Sequence, residues 1–541
     1  MVLLIFVFFS VINFYSIDGY IVEPGPVVKA TKGEIWPKPF QQNSHDDFFI
    51  VRPSLLEYKI QNESCDILLN AIRRYKLIIQ KLLPSNGRMR PRSPGFIEHP
   101  TPEFRNDSLF AGFVDEISID LTTPCTNATP HHQMQESYQL NITNSSAYLG
   151  SKSIWGILRG LESFSQLLVV SPDHRNTLRV KRTEIYDKPR YSYRGLLVDT
   201  SRHFINVFTL KQILDGMAFN KLNVFHWHIV DDHSFPYQSK TFPELSAQGA
   251  YDMRMIYSQN DVKDIVEYAR LRGIRTLVEF DSPGHTRSWG VSHPELLTAC
   301  DGYLNGKLGP IDPTNEQVYT FIQKLLTEVV VVFPDEYIHL GGDEVGFECW
   351  KSSRKIRNYM KINNISSYEK LEELYIQRVV DMTKDLQHKS IVWQEVFENG
   401  VQLPSGTVVH VWTGDRGKLL NAITKSGFPA ILSSCWYLDH LSNGGDWRKY
   451  YECEPSDFPG SAQQQALLIG GEACMWSEVV DDTNILQRIF PRASAAAEKL
   501  WSQETVRNIS EAQQRLEEHT CRMRKRGIPA QPPNGPGFCL N

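Results

Sequence analysis

The sequence predicts an α/β protein: a (β/α)8 TIM barrel catalytic domain preceded by a smaller α+β N-terminal domain. Three observations predict it. From Arg194 onward, eight short β-branched runs recur with helical segments between them, the rhythm of a parallel sheet. Eight units over roughly 290 residues close a barrel. The preceding stretch, residues 20–185, lacks that rhythm, and 541 residues exceed what one ordinary core organises. The expected boundaries are a signal peptide at 1–19, an α+β domain at 20–187, and a barrel with a C-terminal helical extension at 188–541.

The N-terminal run "MVLLIFVFFSVINFY" is apolar and then turns polar at "SIDG". Its length suits a signal-peptide core better than a membrane span. No later run reaches about 18 uninterrupted apolar residues, so no stable span is expected. In the first domain, "EIWPKP" and "FFIVRPS" read as strands, and "FVDEISIDL" and "SYQLNIT" alternate as strands do. Cys65 to Leu83 has helical apolar spacing, and Ser153 to Leu168 reads as a helix capped by Ser153. "DKPRYSYRG", Asp187 to Gly195, carries the turn residues of a boundary.

The eight barrel runs are "RGLLVDTSRHF", "LNVFHWHIVDD", "IRTLVEFDSPGH", "EYIHLGGDEV", "SIVWQEV", "TVVHVWTGD", "PAILSSCWYLD" and "ALLIGGEACMW". Between them, "TNEQVYTFIQKLLTEVVVVF" places apolar residues at 318, 321, 322, 325, 326, 329, 330 and 333, one face of a helix. Net charge is −5 with mixed signs, 41% of residues are hydrophobic and 22% charged, which gives no nucleic-acid or polybasic membrane footprint. The "RMRKR" run at 522–526 reads as a solvated helix end. Nine cysteines and seven Asn-x-Ser/Thr sequons, at Asn62, Asn106, Asn127, Asn141, Asn144, Asn364 and Asn508, join the leader in favouring an oxidising compartment, lysosomal or secreted.

In such a barrel the active site lies at the C-terminal strand ends. There this chain places Asp199 and Arg202; His226, Trp227, His228 and Asp231; Glu279, Asp281 and His285; and Asp343 with Glu344. Strands five to eight deliver Trp393, Trp412, Tyr437 with Asp439, and Trp476 with Glu478. Indole faces suit the C–H faces of a sugar ring, while carboxylates and Arg hold its hydroxyls. Glycoside hydrolysis usually needs two separated carboxyl groups. Side chains of adjacent strand residues point oppositely, so Asp343 and Glu344 share a substrate only if the backbone bends, which Gly341 and Gly342 would ease. They then fit a proton donor, Glu344, beside a group handling another part of the substrate. A metal-dependent hydrolase using "HWH" with Asp343, and a sugar-binding barrel without catalysis, are the rival readings.

"HLGGDEV", with "DTSRHF", "HWHIVDDHSFPY", "EFDSPGHTRSWG", "WYLD" and "GGEACMWSE", resembles the lysosomal-type β-N-acetylhexosaminidases of glycoside hydrolase family 20, from "EIWPKP" to "CRMRKRGIPAQP". The resemblance implies an exo-acting retaining enzyme removing terminal β-linked N-acetylhexosamine. Its nucleophile would be the substrate's own acetamido oxygen, an exception to the two-carboxylate scheme. It implies Glu344 as acid and then base, with Asp343 orienting the acetamido group and stabilising the oxazolinium. Tyr437 would hold the acetamido oxygen, and Trp393, Trp412 and Trp476 would wall the pocket. Arg202 would bind O3 and O4, Asp439 and Glu478 would bind O4 and O6, and His285, braced by Asp231, would adjoin Glu344. A buried acid with a raised pKa is expected for the donor.

The resemblance also implies disulfides Cys65–Cys125, Cys300–Cys349 and Cys521–Cys539. Cys435 and Cys453 remain, as a further pair restraining the Tyr437 loop or as two free thiols, with Cys474 buried and free. No cofactor or metal is expected, and a homodimer is. In the family's β-type subunit "WYL" is followed by Asp-Leu, and in the sulfate-accepting α-type by Asn-Arg; here it is Asp439-His440. Asp439 favours neutral sugars, while His440 becomes cationic at acidic pH.

Overall fold

The computed structural model describes residues 32–83, 107–143, 146–171, 177–302, 307–440, 445–535 and 539. The expected signal peptide and the sequons at Asn106 and Asn144 lie outside the described residues. Among the described residues, no helix is long and apolar enough to cross a membrane.

The first unit is a mixed sheet of eight strands carrying two helices. Its order is Glu57–Ile60, Glu116–Leu121, Ser146–Ser151, Tyr138–Ile142, Leu178–Asp187, Gln41–Val51 and Phe110–Val114, with Val169–Val170 paired to Leu178–Asp187. Helix Asp66–Gln80 follows Cys65, and helix Ile154–Leu167 is capped by Ser153, whose side chain accepts from the Trp155 N–H. Alternate strand residues such as Ile117, Ile119, Leu140 and Leu149 meet Ile157 and Leu161 of that helix in one core.

"EIWPKP" is not a strand. Pro37 and Pro39 offer no N–H for a ladder. The Trp36 backbone pairs instead with the Gln166 side chain, N–H to Oε1 at 2.8 Å and C=O from Nε2 at 2.9 Å. "RMRKR" is likewise not a solvated end. Arg522 donates to Gln166 Oε1 at 2.9 Å and Arg526 to Glu162 Oε1 at 2.7 Å, pinning helix Ile509–Lys525 to the first domain. Buried ion pairs bind the two units further: Arg194 reaches Glu136 at 2.6 Å and Lys221 reaches Asp187 at 2.8 Å.

The second unit is the closed parallel barrel read from the eight runs: β1 Tyr193–Asp199, β2 Val224–His228, β3 Arg275–Glu279, β4 Tyr337–His339, β5 Lys389–Trp393, β6 Val408–Val411, β7 Ala430–Leu432 and β8 Leu468–Met475, with β8 pairing β1. Its interior is layered. Tyr193, Val224, Leu277, Tyr337, Ile391, Val408 and Ile431 fill the N-terminal end. His226, His339, His410, Glu279 and Glu472, all fully buried, form a polar middle. Leu197, Trp393 and Cys474, with Trp412, Tyr437 and Trp476 packed on them, floor the C-terminal face. The long helix between β3 and β4, Glu316–Val332, buries Val318, Phe321, Ile322, Leu325, Leu326 and Val329.

Four disulfides close: Cys65–Cys125, Cys300–Cys349, Cys435–Cys453 and Cys521–Cys539. Cys474 is free and buried. Asn62, Asn127, Asn364 and Asn508 are exposed and Asn141 half-buried. The Asn508 side chain also caps helix Ile509–Lys525.

Candidate active site

The chain leaves β4 through a sharp bend. Gly341 and Gly342 take φ of 71° and 98°, and Glu344 takes 51°, a left-handed value uncommon outside glycine. The bend is held by Asp281, just beyond β3, whose Oδ1 accepts the Gly342 N–H at 2.9 Å. Gly341 sits so close that a Cβ there would lie 1.6 Å from the same oxygen. The turn delivers both acids to one histidine: His285 Nε2 lies 3.9 Å from Asp343 Oδ2 and 3.7 Å from Glu344 Oε2.

Asp343 is buried and its Oδ1 has no hydrogen-bond partner among the described residues. The Glu344 side chain is 59% exposed, unlike the buried donor expected from the sequence. At this left-handed residue the carboxyl is exposed while that of Asp343 is buried. Carboxyls raised by burial sit within the field of Asp343. Burial, then the Asp343 charge, lifts Glu395 to about 7, and burial lifts Glu372 to about 8. Burial and Asp343 also raise Asp281.

His285 is bracketed by acids. Burial disfavours its cation, but Asp281, Asp231 and Asp343 together raise it well above an ordinary histidine. Its Nδ1 lies 3.2 Å from Asp231 Oδ2. Burial alone would raise the Asp231 carboxyl, yet hydrogen bonds from His228, His233 and His285 hold it far below the usual range. Arg202 bridges Asp199 Oδ2 at 3.2 Å and Asp231 Oδ2 at 2.8 Å and lies over the Trp476 ring, 5.1 Å from its centre. A buried guanidinium held between two carboxylates stays charged and fixed in direction.

The aromatic wall is continuous. Trp393 and Trp476 rings are 6.2 Å apart, and Trp412 stacks on Tyr437 at 6.1 Å. Each indole N–H of the first and third is anchored on a carboxylate: Trp393 donates to Glu279 Oε1 at 2.8 Å and Trp412 to Glu395 at 3.0 Å. The Tyr437 segment is stitched to β8 by Leu438 N–H to Cys474 O at 2.8 Å and is flanked by the Cys435–Cys453 bridge. Asp439 is half-buried with Oδ1 unpartnered among the described residues. Burial raises its carboxyl, and nearby Glu478, itself exposed, raises it further. His440 is 67% exposed, with Nε2 3.9 Å from Asp439 Oδ2.

The eleven residues to which the resemblance gives roles lie at or just beyond the C-terminal ends of barrel strands, whereas His226 and Glu279 sit in the polar middle and Trp227 packs in the core around the barrel. Sequence reasoning gave no role to Glu395 or Glu279. The only signal for either was a carboxylate at or just after a strand end, and their partners come from other strands. The metal reading paired "HWH" with Asp343. The set that gathers at Asp343 is instead Asp281 and His285, while His226 joins His339 and His410 deeper in the barrel. His226 Nδ1 is hydrogen-bonded to Glu472 at 2.8 Å, while its Nε2 lies 3.1 Å from Glu279 Oε2 without forming a hydrogen bond among the described residues.

Similarity to known proteins bears on this geometry. The family described as glycosyl hydrolase family 20, catalytic domain, matches residues 191–504, and one described as β-acetyl hexosaminidase-like matches 35–167. The chain is 45% identical over 526 residues to β-hexosaminidase subunit beta of Homo sapiens, covering 95% of this chain and 91% of that protein. It is 42% identical over 517 residues to β-hexosaminidase subunit alpha of Mus musculus, covering 93% and 94%. The solved chitobiase of Flavobacterium johnsoniae superposes with a TM-score of 0.78 at 26% identity, covering 92% of this chain and 74% of that one. With the barrel, its N-terminal domain and these matches in agreement, the chain belongs to glycosyl hydrolase family 20.

Proposed function

We propose that this protein is an exo-acting, retaining β-N-acetylhexosaminidase that removes terminal β-linked GlcNAc or GalNAc from glycoconjugates. The observation that carries the reading is the bend after β4, which turns two adjacent acids to one histidine within an aromatic-walled pocket. In the first step the acetamido carbonyl oxygen attacks C1. The C1–O bond to the leaving group breaks, and the leaving oxygen takes the Glu344 proton. Asp343 accepts the acetamido N–H and stabilises the positive oxazolinium; its unpartnered, buried Oδ1 supports that role. In the second step Glu344 takes a proton from water as the water oxygen attacks C1, and the ring opens with the original anomeric configuration. An exposed Glu344 can reach both leaving group and water.

Arg202, with Asp439 and Glu478, takes the hydroxyls at O3, O4 and O6, Tyr437 the acetamido oxygen, and Trp393, Trp412 and Trp476 the ring and methyl group. Asp231 and His285 keep a positive charge beside the two acids. The protein acts as a homodimer in the lysosome or outside the cell, with glycans on the sequon asparagines. Asp439 selects neutral sugars, and the exposed His440 beside it gives weak activity on 6-sulfated substrate at low pH. The test is hydrolysis of chromogenic N-acetyl-β-glucosaminide by wild type and Glu344→Gln. Turnover by the wild type and loss of ~10²-fold or more in the variant are expected. No turnover by the wild type, or full turnover by the variant, would overturn the reading.

A further inference from the structure

Beneath the pocket lies a carboxylate that the mechanism above does not use. Glu279 ends β3 and is fully buried. Its Oε1 accepts the Trp393 indole N–H at 2.8 Å, and its Oε2 accepts from His228 Nδ1 at 2.5 Å. His226 Nε2 and His339 Nδ1 stand 3.1 and 3.0 Å away. One side chain thus meets groups from β2, β4 and β5. The other nitrogen of His228 reaches Asp231 Oδ2 at 2.9 Å, the oxygen that also takes Arg202 and His285.

We propose that Glu279 is a positioning residue for the hydrolysis: it sets the plane of the Trp393 indole and, through His228, the Asp231–His285 pair beside Asp343 and Glu344. The inference rests on the functional reading above and deepens it.

The charges of the network support the assignment. His228 has carboxylates on both ring nitrogens, so both must carry hydrogen, and the ring is a cation. His226 also lies between two carboxylates, hydrogen-bonded through Nδ1 to Glu472 at 2.8 Å and with Nε2 3.1 Å from Glu279 but not hydrogen-bonded to it. Burial opposes both cations, but the carboxylates reverse it and lift His226 to about 9 and His228 to about 10. Burial would raise Glu279 as well, yet His339, His228 and His226 hold it well below an ordinary glutamate. The groups facing Glu279 are therefore His226 and His228 from β2, His339 from β4, Trp393 from β5 and, beyond its own strand end, Asp281, with Glu472 acting through His226. Two carboxylates offset two imidazoliums, and Tyr193 closes the chain by donating to Glu472 Oε2 at 2.6 Å. An apolar layer would fill this space at lower desolvation cost. The polar layer instead joins one wall of the sugar pocket to the histidine beside the acids.

The test is Glu279→Gln, which keeps shape and one acceptor oxygen but removes the charge. In the wild type His228 stays cationic throughout the acid-to-neutral range, so its ionisation is absent from the pH profile of kcat/KM. In the variant His228 loses one of its two carboxylates and titrates nearer the ordinary ~6.5. Activity should then show a new ionisation, lost as pH rises through it: within about fivefold of wild type at acid pH and down ~30-fold or more near neutrality. Glu279→Asp keeps the charge and should lower kcat without adding that ionisation. Trp393→Phe removes only the indole branch and should raise KM, again without it. Should Glu279→Gln fail to fold, a Glu279→Asp or a Trp393→Phe enzyme identical to wild type would overturn the proposal. So would a folded Glu279→Gln enzyme whose profile superimposes on the wild type. Because wild-type turnover is the reference throughout, failure of this inference is separable from failure of the functional reading, which would show as no turnover at all.

Discussion

Replacing Gly341 with Ala tests how the β4 bend sets the two acids. The added Cβ would stand 1.6 Å from Asp281 Oδ1 and 2.7 Å from Asp281 Cα, at a φ of 71°. Turning the Asp281 carboxyl aside relieves the first contact but not the second, and it breaks the 2.9 Å bond from the Gly342 N–H. The left-handed backbone costs ~1–2 kcal/mol for a residue with a Cβ, and forcing a group into a filled core adds ~1–3 kcal/mol. Part of that strain is relieved by moving the bend, and a shift of about 1 Å at the reacting groups costs ~10²-fold in rate. We expect kcat/KM on a chromogenic N-acetyl-β-glucosaminide to fall ~100-fold or more, with a lowered thermal midpoint. Gly346→Ala is the internal control. It lies in the same segment at φ −72°, with nothing within 4 Å of its added Cβ, so it should cost under ~1 kcal/mol and leave kcat/KM near wild type. A Gly341→Ala enzyme with wild-type kcat/KM, or a Gly346→Ala enzyme as damaged as Gly341→Ala, would refute the reasoning.

Burial lifts Glu372 to about 8, so the folded state holds a proton that the unfolded chain releases near pH 4.3. Stability should therefore decline as pH rises from about 4.3 through 8, by up to ~1.4 kcal/mol per pH unit separating the two states. Glu372→Gln should flatten that decline in thermal unfolding measured from pH 4.5 to 8.5; parallel curves would count against it. Replacing Cys435 and Cys453 together by Ser should cost ~3 kcal/mol or less, for a crosslink spanning 18 residues, and should raise KM more than it lowers kcat by loosening the Tyr437 segment; a drop in kcat alone would contradict this. His440→Leu should abolish activity on 6-sulfated substrate at acid pH while leaving neutral substrate unchanged, and equal loss on both would defeat the proposed role.

The barrel was legible because each strand is a short run buried along nearly all its length, ending in polar or aromatic residues that a barrel must place on one face. The C-terminal helix was misread at "RMRKR" for the opposite reason. A local charge pattern cannot reveal that Arg526 meets Glu162, 364 residues away. "EIWPKP" reads as a strand, but the chain bends at Trp36–Pro37 and the Trp36 backbone pairs with a glutamine side chain rather than a neighbouring strand. The strand Leu178–Asp187 escaped notice because Arg179, Lys181 and Glu184 interrupt its apolar residues, although its buried positions alternate as a one-faced strand requires. In the site, residue identities were readable and orientation was not. Nothing in the order Asp-Glu discloses that Glu344 takes a left-handed φ and is exposed. Glu279 was visible as a strand end, but its importance lies in partners from β2, β4 and β5, which only closure of the barrel brings together.

The central chemical claim is that the substrate's amide oxygen forms the bond to C1. Stepwise fluorination of the N-acetyl methyl group withdraws electrons from that oxygen while changing the sugar little. Measuring kcat/KM across the mono-, di- and trifluoroacetyl series of one aryl glycoside is the most direct test. Attack by the acetamido oxygen requires a steep, progressive fall with each fluorine; a flat series would show that some other nucleophile attacks the anomeric carbon.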